Sequence, residues 1–250
     1  MFDNLSEDTN PSLIKFEQML KTNQVLFFDA LEFENIIHHY IDFAQFNLAK
    51  KAIKMGMEQH PENVEIMLLK SELFLVDGSY NEAENILNDI ERISPEHEEI
   101  FLQRANIFSK KKNHPKAIEL LKKALNVCEE PTEIWNLLGM EYLFQEDYIK
   151  AKKYFHKCLK ENTFDYQSLY NLLYCFEQLG ENLEAIDTLN NLLEINPYSE
   201  VAWHQLGKIY IKINKPEEAL SAFEFAIISD DCYTSAYIEK GKLLEQMGRI

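Results

Sequence analysis

The chain has 250 residues, 46% of them hydrophobic and 27% charged, which suits a soluble folded protein long enough to bury a substantial core. Its 42 acidic and 25 basic residues give a formal charge of −17, which disfavours nucleic-acid backbones and anionic membrane surfaces as partners. Only seven glycines and seven prolines punctuate it, too little turn chemistry for a strand-rich fold.

The first residues, MFDNLSEDTN, are polar and acidic and are expected to be mobile. They carry no basic segment followed by an apolar run, no stretch approaches a membrane span, and four cysteines form no metal or redox spacing. A cytoplasmic protein with reduced thiols is the expectation. Residues 11–24 place Leu13, Phe16 and Leu20 on one helical face and are expected to cap the first repeat. Asp29 and Glu32 have the spacing of a capping box that opens the next helix.

From residue 30 the chain repeats. Ala49, Ala83, Ala117, Ala151, Ala185 and Ala219 are each 34 residues apart. Trp135 and Trp203, then Gly139, Gly207 and Gly241, keep the same period, as do Gly78, Gly180 and Gly248. Between these markers apolar residues recur at three and four, so each unit holds two helices joined by a turn. In the fourth unit they fall near 132–145 and 148–161. Gly78, Gly180 and Gly248 sit where the turn wants a left-handed residue. Pro115 and Pro216 open second helices; Pro61, Pro95 and Pro197 come just after second helices that have ended. Six full units at 30–233 and a partial seventh at 234–250 are expected, preceded by a separate segment at 1–29, with the natural chain continuing past Ile250. Gly139 in mid-helix is read as the place where the two helices of a unit meet closely, opposite Ala151.

Trp135, Leu138, Gly139, Tyr142, Ala151 and Phe155, and again Trp203, Leu206, Gly207, Tyr210, Ala219, Phe223 and Ala226, resemble the tetratricopeptide repeat over residues 30–250. Other units depart from the pattern; Leu173 stands where Gly139 does. The resemblance implies an all-α fold, a right-handed superhelix (α-solenoid) of antiparallel helix pairs. Its concave face is lined by the first, or A, helix of each pair and binds proteins or peptides. The expected function is a non-catalytic adaptor or scaffold without a cofactor. The alternative is a regulatory or substrate-recruiting arm of a larger enzyme continuing beyond residue 250.

On the A helices, the first three units offer Glu34, His38, Asp42, Glu65, Glu72 and Glu99; the fourth and fifth offer Asn136, Met140, Phe144, Tyr170 and Tyr174. The sixth and seventh offer His204, Lys208, Lys212 and Lys242. This layout suggests an extended protein or peptide partner whose acidic part meets the lysines. His38 and Asp42, at i, i+4, form at most half a metal site, and no metal is expected. A chaperone-tail clamp is matched only in part, because Asn136 and Asn171 lack accompanying lysines. The open C-terminal end is a candidate for self-association.

Overall fold

The computed structural model describes residues 11–22 and 25–249; the polar start at 1–10 and the end of the first expected helix lie outside the described residues. Among the described residues there are fourteen helices and no strand. None is long and apolar enough to cross a membrane. They form two compact units. The first holds α1 (Pro11–Thr22), α2 (Ala30–Asp42), α3 (Phe46–Gln59), α4 (Val64–Val76), α5 (Tyr80–Ile93), α6 (Glu98–Lys110) and α7 (His114–Ala124). The second holds α8 (Thr132–Phe144), α9 (Tyr148–Glu161), α10 (Tyr166–Leu179), α11 (Asn182–Ile195), α12 (Glu200–Lys212), α13 (Pro216–Ser229) and α14 (Thr234–Gln246).

Each unit is a solenoid of helix pairs, and local sequence explains where the helices begin. Asn63, Asp165 and Ser199 cap A helices by accepting from the backbone N–H three residues on, at 2.8, 3.0 and 3.2 Å. The capping box at α2 is complete: Asp29 Oδ1 accepts from Glu32 N at 2.7 Å, and Glu32 Oε2 from Asp29 N at 2.9 Å. Helix α1 lays Phe16 and Met19 onto α2, with the Phe16 ring edge-on to Phe28 and Phe33.

The A-to-B turn has one conformation throughout. Ala44, Gly78, Lys112, Glu146, Gly180, Asn214 and Gly248 all have φ between 53° and 74°. Three of these seven are the glycines the sequence points to; four carry a side chain in a region that penalises a Cβ. Lys112→Gly is therefore expected to stabilise the first unit by about 0.5–1 kcal/mol, part of the relief being offset by a freer unfolded chain. An unchanged or lower urea midpoint would show that the turn holds lysine without strain.

The alanines of the 34-residue beat are all buried. The gap at Gly139, however, is filled by a different residue from the one the sequence suggested. A Cβ on Gly139 would lie 2.6 Å from Phe155 Cε1, and one on Gly207 2.5 Å from Phe223 Cε1. Phe155, rather than Ala151, lies across the glycine, and both phenylalanines are fully buried. At the same two repeat positions the other pairs carry Ser71 and Leu87, Ala105 and Leu121, and Ile37 and Ile53. In the fifth pair two large residues, Leu173 and Leu189, occupy the two positions. There α10 packs closely on the preceding α9 and only sparsely on its own α11, the loosest of the six pairs.

Candidate functional site

In the second unit the A helices α8 and α10 lie side by side. Asn136 Nδ2 donates to Ser168 Oγ at 3.2 Å, and Asn171 Nδ2 approaches Met140 Sδ at 3.5 Å. Asn136 and Met140 are thus half-buried members of a seam. Around that seam Phe144, Tyr170 and Tyr174 are 56%, 42% and 47% exposed.

The tyrosines are held in place. Tyr174 meets the edge of Tyr148 at 6.1 Å between ring centroids. Tyr170 acts on Tyr233, the residue that opens α14: burial, with Tyr170 adding to it, pushes the Tyr233 hydroxyl up to about 12. Their rings therefore present a fixed apolar surface with little rotamer entropy left to lose on binding.

The basic end is less uniform than the sequence suggests. Lys212 Nζ lies 2.5 Å from Glu177 Oε1 across α10 and α12, and Lys242 pairs with Glu239 on its own helix at 2.8 Å. Lys208 is exposed and has no carboxylate partner among the described residues. Lys208, Lys212, Leu173 and Glu177 line a small cleft of about 60 Å³, which does not include Lys242.

His204 lies inside the unit instead of on its surface, at 7% exposure, packed between Phe223 and Tyr233 with centroid distances of 5.8 and 5.4 Å. Neither ring nitrogen has a hydrogen-bond partner. Burial, with Lys208 adding to it and Glu239 opposing, holds its pKa below the ordinary histidine value. A residue packed this way serves the core and offers no face to a ligand.

Elsewhere the chemistry is quiet. In the first unit Glu34 is pushed towards its protonated form by burial and then by Glu65. His38 and Asp42 are exposed and gather no third ligand; among the described residues the grouped donors are Asp230, Asp231 and Cys232, on a surface turn. Burial pushes Cys158 up, and Cys175 to about 11, so neither thiol is poised as a thiolate. Helix α9, YIKAKKYFHKCLKE, carries five lysines that motif spacing alone does not single out, because the repeat pattern directs attention to the A helices.

The profile of the ChAPs family, the Chs5p-Arf1p-binding proteins, matches residues 57–230, well over half of the chain. The chain belongs to this family. Among curated relatives, this ChAPs chain is 28% identical over 140 residues to anaphase-promoting complex subunit 3 of Schizosaccharomyces pombe, covering 56% of the chain and 21% of that protein. The ChAPs chain thus spans only about a fifth of that relative's length. The C-terminal part of a TPR repeat-containing protein from Cytophaga hutchinsonii superposes with a TM-score of 0.64 at 15% identity, over 90% of this chain and 92% of that one. YrrB, described as a TPR protein with an unusual peptide-binding site, gives 0.53 at 18% identity over 76% and 98%. With these neighbours the fold of the ChAPs chain is a tetratricopeptide-type solenoid.

Proposed function

We propose that this ChAPs chain is a non-catalytic adaptor that docks a protein partner on the A-helix face of its second unit. The observation that carries the reading is the trio Phe144, Tyr170 and Tyr174, aromatic and near half exposed beside the Asn136–Met140 seam. Apolar rings with polar tips are the residues that dominate protein interfaces. Lys208 supplies an uncompensated positive charge at one end, which favours a partner acidic at that point and speeds encounter more than it deepens affinity. The family description, binding of Chs5p and Arf1p, supplies the first partners to try. The peptide-binding site described for YrrB supports a solenoid of this type as a holder of extended segments.

The test is binding of purified Chs5p- and Arf1p-type proteins to the wild-type chain and to a Tyr170→Ala/Tyr174→Ala variant. Interface tyrosines cost about 1–2 kcal/mol or more each when truncated, so at least a tenfold loss of affinity is expected. Lys208→Glu is expected to slow association and weaken the salt dependence. Thermal melts verify that the variants stay folded, because Tyr170 also supports Tyr233. Undiminished binding by the folded double variant would move the interface off this face.

A further inference from the structure

We propose that the second unit has a separate docking groove between α9 and α11, on its B-helix side, for an acidic segment of a protein partner that also carries apolar side chains. The groove has its origin in the sequence. Leu173 and Leu189 replace the glycine–phenylalanine pairing of the neighbouring repeats, and α11 packs only sparsely on α10. Helices α9 and α11 barely touch, and α10 floors the space between them.

Two adjoining clefts result, of about 530 and 250 Å³, sharing His156, Lys160 and Thr188 in their walls. The floor is apolar, from Phe176 in the larger cleft to Leu172 and Leu192 in the smaller. Ile149 at one end and Ile195 at the other are 67% and 68% exposed. An apolar floor with exposed isoleucines at both ends is a surface that water covers poorly.

One wall is strongly basic in a chain of net charge −17. Four lysines of α9 line the larger cleft against a single carboxylate, Glu184. Lys152 is bound to Glu181, and Lys157 lies over the Trp135 ring at 4.8 Å. Lys153, His156 and Lys160 are exposed and have no carboxylate partner among the described residues. The cleft of about 520 Å³ in the first unit differs in this respect: its Lys50 pairs with Asp77 at 2.6 Å, and Lys54 approaches Glu58 at 4.0 Å. Lys70 is the third lysine there, set against two carboxylates, whereas the cleft beside α9 sets four lysines against one and so keeps the larger uncompensated charge.

The spacing selects the ligand. Lys153 and Lys160 lie seven positions apart, about 10 Å along one helix face, and flank His156 beside an apolar floor that a lone phosphate would leave uncovered. The charges are met instead by carboxylates distributed along a segment, while its apolar side chains enter the floor between them. A helix or strand about 20 Å long matches the length of α9. Such a ligand pairs charge with charge and apolar surface with apolar surface.

The experiment uses a fluorescein-labelled peptide of glutamate and leucine about 14 residues long, with leucines at helical spacing, and a counterpart with lysine for glutamate. Fluorescence anisotropy is read on the full chain and on Lys153→Glu/Lys160→Glu and Ile195→Asp variants, whose positions are exposed enough to leave folding intact. The glutamate peptide is expected to bind, several-fold less tightly at about 200 mM than at about 50 mM salt. The lysine peptide should not bind. The double reversal should lose at least tenfold and Ile195→Asp about threefold, while Lys208→Glu changes nothing, which separates this groove from the A-helix face. The proposal is overturned if neither peptide binds, if both bind alike, or if the double reversal leaves affinity intact. It is equally overturned if sedimentation shows that the groove is filled by a second copy, or if phosphatidylserine vesicles displace the peptide.

Discussion

Leucine at Gly207 is expected to destabilise the second unit by about 3 kcal/mol, the upper end for overpacked cores. Even the first added carbon would sit 2.5 Å from the fully buried Phe223 ring, which is enclosed with no room to swing away. Gly241 occupies the same repeat position in α14, yet a Cβ there meets nothing within 4 Å. Gly241→Ala should therefore stabilise its helix by about 1 kcal/mol. The same motif glycine thus gives opposite signs in two repeats, and urea midpoints read both. A double-mutant cycle sharpens the test. Gly207→Ala crowds the ring and Phe223→Leu leaves a void, but together they recreate the Ala105–Leu121 pair already present in α6 and α7. The two changes should offset each other by about 1 kcal/mol or more. Strict additivity would mean that glycine and phenylalanine do not share one space.

That pairing also marks how far the sequence could be read. The period of 34 residues, the helix pairs and the buried alanines were legible because small residues recur in phase and because helix periodicity is a property of neighbours in sequence. The partner of Gly139 was not. Ala151 and Phe155 lie one turn apart on α9, so both are compatible with the spacing, and the side chain's reach decides which one fills the gap. The left-handed turns at Ala44, Lys112, Glu146 and Asn214 were hidden for a related reason: only glycine announces that conformation by composition, whereas the repeat imposes it on any residue at that place.

The candidate surface was legible in part. Helical spacing put Phe144, Tyr170, Tyr174 and Lys208 on A helices, and all four are exposed. It could not tell that Lys212 faces Glu177 from the neighbouring A helix, a contact between residues 35 positions apart. Nor could it tell that Leu173, a visible departure from the repeat pattern, goes with a loosened α10–α11 pair and an open lysine-lined groove. One substitution at the glycine position is a local fact. Its consequence is carried by how far α11 stands from α9, which no short window of sequence contains.

His204→Phe is expected to raise the stability of the second unit by about 2 kcal/mol at neutral pH, because two buried ring nitrogens without hydrogen bonds are removed while an aromatic ring stays between Phe223 and Tyr233. The gain should grow in acid, and the sign comes from linkage. His204 has a folded pKa below its ordinary value, so the unfolded chain takes up the proton first as pH falls. The histidine's share of stability is complete above about pH 6.5 and is lost progressively below it, at up to about 1.4 kcal/mol per pH unit, until the folded form also protonates. The phenylalanine variant has no such dependence, so the two stability–pH curves should diverge as pH falls below about 6.5. Lys208 and Glu239 are the charged groups acting on the ring, with Tyr233 its neutral titratable neighbour. Lys208→Gln should raise the folded pKa and narrow the divergence. If the wild-type and His204→Phe curves run parallel, His204 has found a hydrogen bond in solution and its burial carries no acid sensitivity. If they diverge and Lys208→Gln narrows the gap, Lys208 helps burial to hold the histidine beneath it neutral. Binding studies of Lys208 variants then belong above about pH 7, where that effect is silent.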